Sequence, residues 1–174
     1  YIHAAAGAST IEALSDYPAV PPMYMRRNTL VPLAENMKRH VKNVVIMGTG
    51  SIDVPEEADQ IIDEGKADMV AIGRGLLADP AWALHAQTGQ RIRPCIRCNI
   101  CHFEAVFQWH DIVCTVNPYL AKEAEEPLQP AKSPKRVMVI GGGPGGIIAA
   151  MTASARGHKV ALYEKNNALG GMLI

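Results

Sequence analysis

The stretch Arg136-Val-Met-Val-Ile-Gly-Gly-Gly-Pro-Gly-Gly146 runs an apolar strand directly into a glycine-rich turn. Ile147, Ile148, Ala149, Ala150, Met151 and Ala153 continue it as a helix of small and apolar residues that ends at Gly157. Lys159-Val-Ala-Leu-Tyr163 reads as a second strand, with Glu164 at its carboxyl end, 18 residues beyond Gly146. This is a G-x-G-x-x-G turn in strand–turn–helix–strand context with a following acid, the pattern of a Rossmann-like βαβ unit. Gly141 permits the tight turn, Gly143 lets the backbone approach a pyrophosphate, and Gly146 lets the helix pack close to the sheet. The helix N-terminus offers unpaired N–H groups and a partial positive charge to phosphate. Glu164 is placed to accept hydrogen bonds from ribose hydroxyls. The expected ligand is an adenine dinucleotide, and the spacing leaves FAD and NAD both open.

Upstream of that turn the chain gathers all its cysteines, Cys95, Cys98, Cys101 and Cys114, as C-x2-C-x2-C-x12-C. Three thiolates two residues apart can wrap a centre from one tight loop, and the fourth arrives on a returning segment. A soft thiolate set limits the metal to zinc, iron–sulfur or cuprous copper. Zinc usually takes two separated pairs, whereas three close cysteines plus a distant fourth is the more typical iron–sulfur layout. Disulfides are not expected, since no secretory signal is read at the amino end. His102 and His110 flank the cysteines, but four thiolates suffice without them.

Residues 1–92 alternate strand-like and helix-like segments. Leu30, Leu33, Ala34, Met37 and Val41 recur at helical spacing. Asn43-Val-Val-Ile-Met47 reads as a buried strand leaving through Gly48-Thr-Gly50, and Asp68-Met-Val-Ala-Ile72 as another closed by Gly73-Arg74-Gly75. Between them Asp53 and Pro55 open a helix with Ala58, Ile61 and Ile62 on its apolar face and Gly65 as its stop. Asp79-Pro80 starts a further helix to about Thr88. Such alternation predicts right-handed crossovers and a parallel sheet, with a ligand site where the strands end. Gly50, Gly73 and Arg74 then read equally well as a phosphate nest or as tight turns with a solvated arginine. Met23, Met25 and Met37 are expected to pack, Trp82 and Trp109 to be local core, and His3, on a first strand running out through Gly7, to be structural.

The chain has 174 residues, 48% hydrophobic and 20% charged, which fits a soluble globular protein and excludes a disordered, collagen-like or disulfide-dense one. The alternation of strands and helices makes the expected class α/β. Lysine plus arginine balances aspartate plus glutamate at 17 each, so no basic excess argues for nucleic acid. No apolar run is long enough to span a bilayer, so neither a membrane nor a nucleic acid is an expected partner, and the expected location is cytoplasmic. Residues 122–135, rich in proline and charge, read as a linker. The start at Tyr1 and the end at Ala168-Leu-Gly-Gly-Met-Leu-Ile174 suggest an internal piece of a longer protein.

Three motifs in this order resemble one family. Pro55-Glu-Glu-Ala and Glu64-Gly-Lys-Ala-Asp-Met-Val-Ala-Ile-Gly-Arg-Gly-Leu-Leu-Ala-Asp-Pro80 resemble the end of the flavin barrel in old yellow enzyme relatives. Arg93-Pro-Cys-Ile-Arg-Cys-Asn-Ile-Cys101 with Cys114-Thr-Val-Asn-Pro118 resembles the iron–sulfur segment of that family's long members. These are the NADH:flavin oxidoreductases of the 2,4-dienoyl-CoA reductase, trimethylamine dehydrogenase and bile-acid or enoate reductase type. Val139–Gly146, Glu164 and Leu169-Gly-Gly171 resemble their nucleotide domain.

The resemblance implies the C-terminal part of a (β/α)8 barrel for FMN over 1–92, an iron–sulfur segment over 93–121, a linker over 122–135, and the start of an FAD-binding domain over 136–174. It implies FMN phosphate at Gly50, Gly73 and Arg74, and a 4Fe-4S cluster on Cys95, Cys98, Cys101 and Cys114. It places FAD at Gly141, Gly143, Gly146 and Glu164, with Gly170 and Gly171 favouring FAD over NAD. Electrons would pass from NAD(P)H through FAD and the cluster to FMN and an α,β-unsaturated small-molecule substrate. The remainder of the same polypeptide is an implied partner, homo-oligomerisation stays open, and no residue here is assigned to catalysis. Arg97 departs from the family, standing where relatives often have glycine, and a cation there would raise the cluster's potential. A free-standing ferredoxin-like carrier and a zinc-stabilised nucleotide module are the alternative readings.

Overall fold

The computed structural model describes residues 1–5, 19–122 and 128–174, which fall into two compact units, Tyr1–Ala121 and Lys122–Ile174. The expected strand exit at Ala6 and Gly7 and residues 123–127 of the expected linker lie outside the described residues.

In the first unit β1 (Ile2–Ala4), β2 (Ile46–Gly48) and β3 (Met69–Val70) form a parallel sheet in the order β1-β2-β3. Ile2 pairs with Ile46, Ala4 with Gly48, and Gly48 with Val70. Parallel neighbours need crossovers, and two are supplied by α1 (Val31–His40) before β2 and α2 (Pro55–Asp63) before β3. Both helices follow local rules. Each carries a proline in its first turn; α1 ends on Lys38, Arg39 and His40, and α2 begins with Glu56 and Glu57, each charge opposing the nearby dipole end. Ala4, Val31, Ala34, Ile46, Ile52, Ala58, Ile61, Ala67 and Trp82 close one core between sheet and helices.

Several expectations need correction. The strands are shorter than the apolar runs: Val44 and Val45 stay 38% and 44% exposed, and Met69 48%. Asp68 does not extend β3 as an apolar strand residue. Its N–H donates to the Ile46 carbonyl at 2.8 Å, and its carboxylate accepts the Ile46 N–H at 2.8 Å and pairs with Lys38. Ile62 points away from the core, because the buried face of α2 is taken by Ala58 and Ile61. Gly73-Arg74-Gly75 is not simply a turn; it opens α3 (Arg74–Ala78), and α4 (Trp82–Thr88) follows. Trp82 is core, its indole donating to the Asp53 carbonyl at 2.9 Å. Trp109 is not: it follows α5 (Ile100–His102) and a π-helical turn over Phe103–Phe107, adopts a left-handed φ of 57°, and is 88% exposed. Met23 and His3 are also exposed, while Met37 packs against the core as expected.

In the second unit β4 (Arg136–Ile140) and β5 (Lys159–Tyr163) pair in parallel, Arg136 with Lys159 through Ile140 with Tyr163. α6 (Pro144–Ala155) makes the crossover, and a 3-10 turn covers Gly171–Leu173. No described helix is long and apolar enough to cross a membrane.

Candidate functional site

The first candidate site lies where β2 and β3 end. Gly50 holds φ at 116°, and a methyl there would meet the Leu30 Cβ and N at 2.9 Å, so the position demands glycine on two grounds. Beside it opens a cavity of about 190 Å³ walled by Gly50, Ser51, Gly73 and Arg74, and also by Cys95 and Arg97. The structure therefore brings the three expected anion-loop residues together and adds Ser51. Arg74 is half-buried as the first residue of α3, and its Nη2 donates to Ser51 Oγ at 2.7 Å. Burial lowers its pKa, while the nearby Cys95 and Cys101 thiols work against that shift. A guanidinium starts so high that it stays charged near neutrality. Backbone amides, a hydroxyl and a fixed cation around one hollow suit a phosphate monoester.

Arg74 also serves the second candidate site. Its Nη1 donates to Asn99 Oδ1, inside the cysteine loop. Cys95, Cys98, Cys101 and Cys114 line one small cavity whose wall includes Arg74, Asn99 and Thr115. All are free thiols; Cys101 is buried and Cys98 exposed. The loop turns back on itself through left-handed φ values of 54° at Arg97 and 62° at Asn99, which aims the Arg97 N–H at Cys95 Sγ, 3.3 Å away. A left-handed residue is the reason glycine serves well at the Arg97 position. Cys98 Sγ lies 3.2 Å from Thr115 Oγ1. Burial pushes the Cys101 thiol up, against the pull of the His102 N–H. Among the described residues no three His, Cys, Asp or Glu side chains close on a single ion. The four cysteines share one hollow, and a set of four soft thiolates is a donor set that an iron–sulfur centre accepts. His102 stacks edge-on against Phe107, and His110 Nδ1 lies 2.9 Å from Glu104, so neither histidine is drawn into the cavity.

The Arg97 side chain does something that spacing did not suggest. It leaves the cysteines and donates to the Met25 carbonyl at 2.8 Å and the Met23 carbonyl at 3.1 Å. Asp53 also lines the anion cavity; it is buried and its carboxylate is paired with Arg27. Asp79, 5% exposed, accepts from the Arg93 N–H at 2.9 Å, from the Ala81 N–H and from His85, and so ties the start of the cysteine segment to α4. Burial works to raise its carboxyl, but these donors outweigh it and hold the group below the ordinary carboxylate range.

The third candidate site is the glycine turn of the second unit. Gly143 caps α6, and space is open beside both Gly141 and Gly143. A methyl on Gly146 would collide with the Gly141 carbonyl, so close helix–strand packing requires glycine there. The Gly170 N–H donates to the Gly142 carbonyl at 2.8 Å, and a methyl on Gly171 would come within 3.1 Å of Gly143 Cα. The second glycine pair thus packs directly on the first. Glu164 Oε2 accepts the Gly142 N–H at 2.6 Å, and its other oxygen accepts the Asn166 N–H at 2.9 Å. The Asn166 and Gly142 N–H groups hold this carboxylate below its usual range. Gly142 was not singled out by the motif, whose spacing leaves it a free position.

Two families match the chain. Residues 9–92 match the NADH:flavin oxidoreductase / NADH oxidase family, and residues 136–174 match the FAD dependent oxidoreductases. An NADH oxidase of Thermoanaerobacter brockii is 49% identical over 82% of this chain and 22% of its own length. A cinnamate reductase of Clostridium sporogenes is 37% identical over 88% of this chain and 23% of its own. Among solved structures, a 2-naphthoyl-CoA reductase in complex with 2-naphthoyl-CoA superposes with a TM-score of 0.78 at 30% identity, covering 91% of this chain and 24% of that one. This chain therefore spans less than a quarter of the curated relatives it matches. The chain belongs to the NADH:flavin oxidoreductase / NADH oxidase family, and its residues 136–174 are similar to the FAD dependent oxidoreductases.

Proposed function

We propose that this chain is part of an iron–sulfur flavoprotein oxidoreductase that carries electrons from NAD(P)H, by way of FAD, a 4Fe-4S cluster and FMN, to an α,β-unsaturated substrate. The observation that carries this reading is the gathering of Cys95, Cys98, Cys101 and Cys114 around one hollow whose wall includes Arg74, the arginine that also reaches Ser51 at the anion loop. Such a cluster, when bound, passes single electrons, and a flavin can hold one or two, so the protein's part is to fix positions and potentials.

The residues divide that work. The four cysteines would hold the cluster. Gly50, Ser51 and Gly73 would meet the FMN phosphate with backbone N–H groups and a hydroxyl, and Arg74 with a fixed charge. Gly141, Gly143 and Gly146, with the α6 N-terminus, would receive the FAD pyrophosphate, and Gly170 and Gly171 would close over the same loop. Glu164, kept ionised by backbone N–H groups, retains lone pairs for ribose hydroxyls.

The substrate class rests on the names of the cinnamate reductase and the 2-naphthoyl-CoA reductase. The short span relative to these proteins supports a longer polypeptide. In it residues 1–92 would close the FMN barrel, 93–121 carry the cluster, 122–135 link, and 136–174 begin the FAD domain. Unpaired thiols at the cluster segment suit a reducing, cytoplasmic compartment. The test is iron, acid-labile sulfide and extracted-flavin analysis of the full-length protein purified without oxygen. Near-equal iron and sulfide with both FMN and FAD is expected; zinc without sulfide would overturn the redox reading.

A further inference from the structure

Asn99 stands between Cys98 and Cys101 and does not line the anion cavity, yet it holds two of that cavity's walls. Its Oδ1 accepts from Arg74 Nη1, and its Nδ2 donates to the Val20 carbonyl at 3.0 Å. Arg74 and Val20 both face the anion cavity. Arg74 is thereby held at both ends of its fork, one nitrogen on Ser51 in the anion loop and the other on Asn99 in the cysteine loop. Asn99 makes these bonds from a left-handed backbone, φ 62°, a conformation that asparagine tolerates. Cys95 and Arg97, also of the cysteine loop, complete the same wall. A long, rotamer-rich arginine aimed in this way loses little freedom when an anion arrives, so its pre-orientation appears directly as affinity.

Resting on the functional reading above, we propose that Asn99 is a positioning residue that couples the two centres. When the cysteine loop is ordered around its cluster, Asn99 holds Arg74 and the Val20 segment in place for the flavin phosphate. Coupling of binding free energies is reciprocal, so FMN in its cavity must in turn protect the cluster. Both effects act through the phosphate, because Arg74 is the element that the two loops share.

The test compares FMN with riboflavin, which lacks the phosphate, on the full-length protein stripped of flavin. Asn99→Gly removes both side-chain bonds and keeps the left-handed backbone free of strain. It is expected to weaken FMN binding about tenfold, the loss typical of a hydrogen bond to a charged group, and to leave riboflavin binding unchanged. Asn99→Asp still accepts from Arg74 but loses the donor to the Val20 carbonyl, and is expected to restore FMN binding only in part. In the wild-type protein, FMN but not riboflavin should slow iron release to a chelator, and Asn99→Gly should erase that difference. Equal loss of FMN and riboflavin would make Asn99 merely structural and overturn the proposal, as would wild-type FMN affinity in Asn99→Gly. A wild-type protein with iron that prefers FMN, alongside an indifferent Asn99→Gly, sinks the coupling alone. A wild-type protein without iron, or with no preference for FMN, sinks the functional reading and the coupling with it.

Discussion

The sheet of residues 1–121 and the sheet of residues 122–174 come from the same alternation of strand and helix, but they differ in what covers them. β2 brings Ile46 to 1% exposure beneath α1, and Ala4 and Ala34 are fully buried. In the second unit every residue of β4, α6 and β5 is at least partly exposed, with Ile140 at 79% and Met138 at 65%. A two-stranded sheet with one crossover helix has too few layers to enclose either face. Its geometry is nonetheless regular, because strand pairing, the glycine turn and the Gly146 contact are local. The comparison separates two things that usually arrive together: a backbone arranged by short-range rules, and a core that only distant neighbours can close.

The largest effect should come at the cysteines proposed to hold the cluster. Cys101→Ser in the full-length protein is expected to abolish cluster iron, read by iron and sulfide analysis, while FAD remains bound. Gly146→Ala should do the reverse, losing FAD because the added methyl meets the Gly141 carbonyl, with iron retained. Loss of both groups in either variant would show that the two regions are not independent.

Core truncation should divide the units next. Ile46→Ala removes a fully buried side chain and is expected to cost about 2–5 kcal/mol in denaturant unfolding of the first unit. Ile140→Ala in the second unit, at 79% exposure, should fall within about 0.5 kcal/mol. A large loss at Ile140 would mean that further chain covers β4 in the full-length protein.

In the first unit a pH dependence follows from Asp79. Asp79 is held below its ordinary value of 3.8 in the folded state, so the unfolded chain takes up the proton first. Its stabilisation is whole above that ordinary value and is lost as pH falls through the lowered folded one. Unfolding midpoints measured across this acid range should decline in the wild type and flatten in Asp79→Asn. The smallest effect is expected at Arg97→Gly. Removing the guanidinium carried on the cysteine loop should lower the cluster's midpoint potential slightly in a redox titration, while the backbone N–H to Cys95 stays and glycine suits the left-handed φ of 54°. An unchanged potential would assign Arg97 wholly to its bonds with Met23 and Met25.

Much of the second unit was legible from residue order. Strand, turn, helix and strand fell where period, glycine and charge placed them, since each depends on neighbours a few positions away. The same held for α1, read from its apolar period, and for α2, whose proline, charge and glycine signals are local. The strand lengths in the first unit were not legible. Val44, Val45 and Met69 are apolar, but burial depends on which layer reaches them. Trp109 shows the same limit: an aromatic residue is core only where something packs on it.

For the sites, the sequence alone determined the chemistry on offer: four soft thiolates in one window, two glycine-rich strand exits with an arginine, and a dinucleotide turn with its acid. The tertiary structure decided which of these share a wall. Arg74 and Asn99 are 25 residues apart, and Asn99 and the Val20 carbonyl 79. No spacing rule joins them, because a side-chain hydrogen bond needs its two atoms about 3 Å apart in space, and only the packed chain sets that distance.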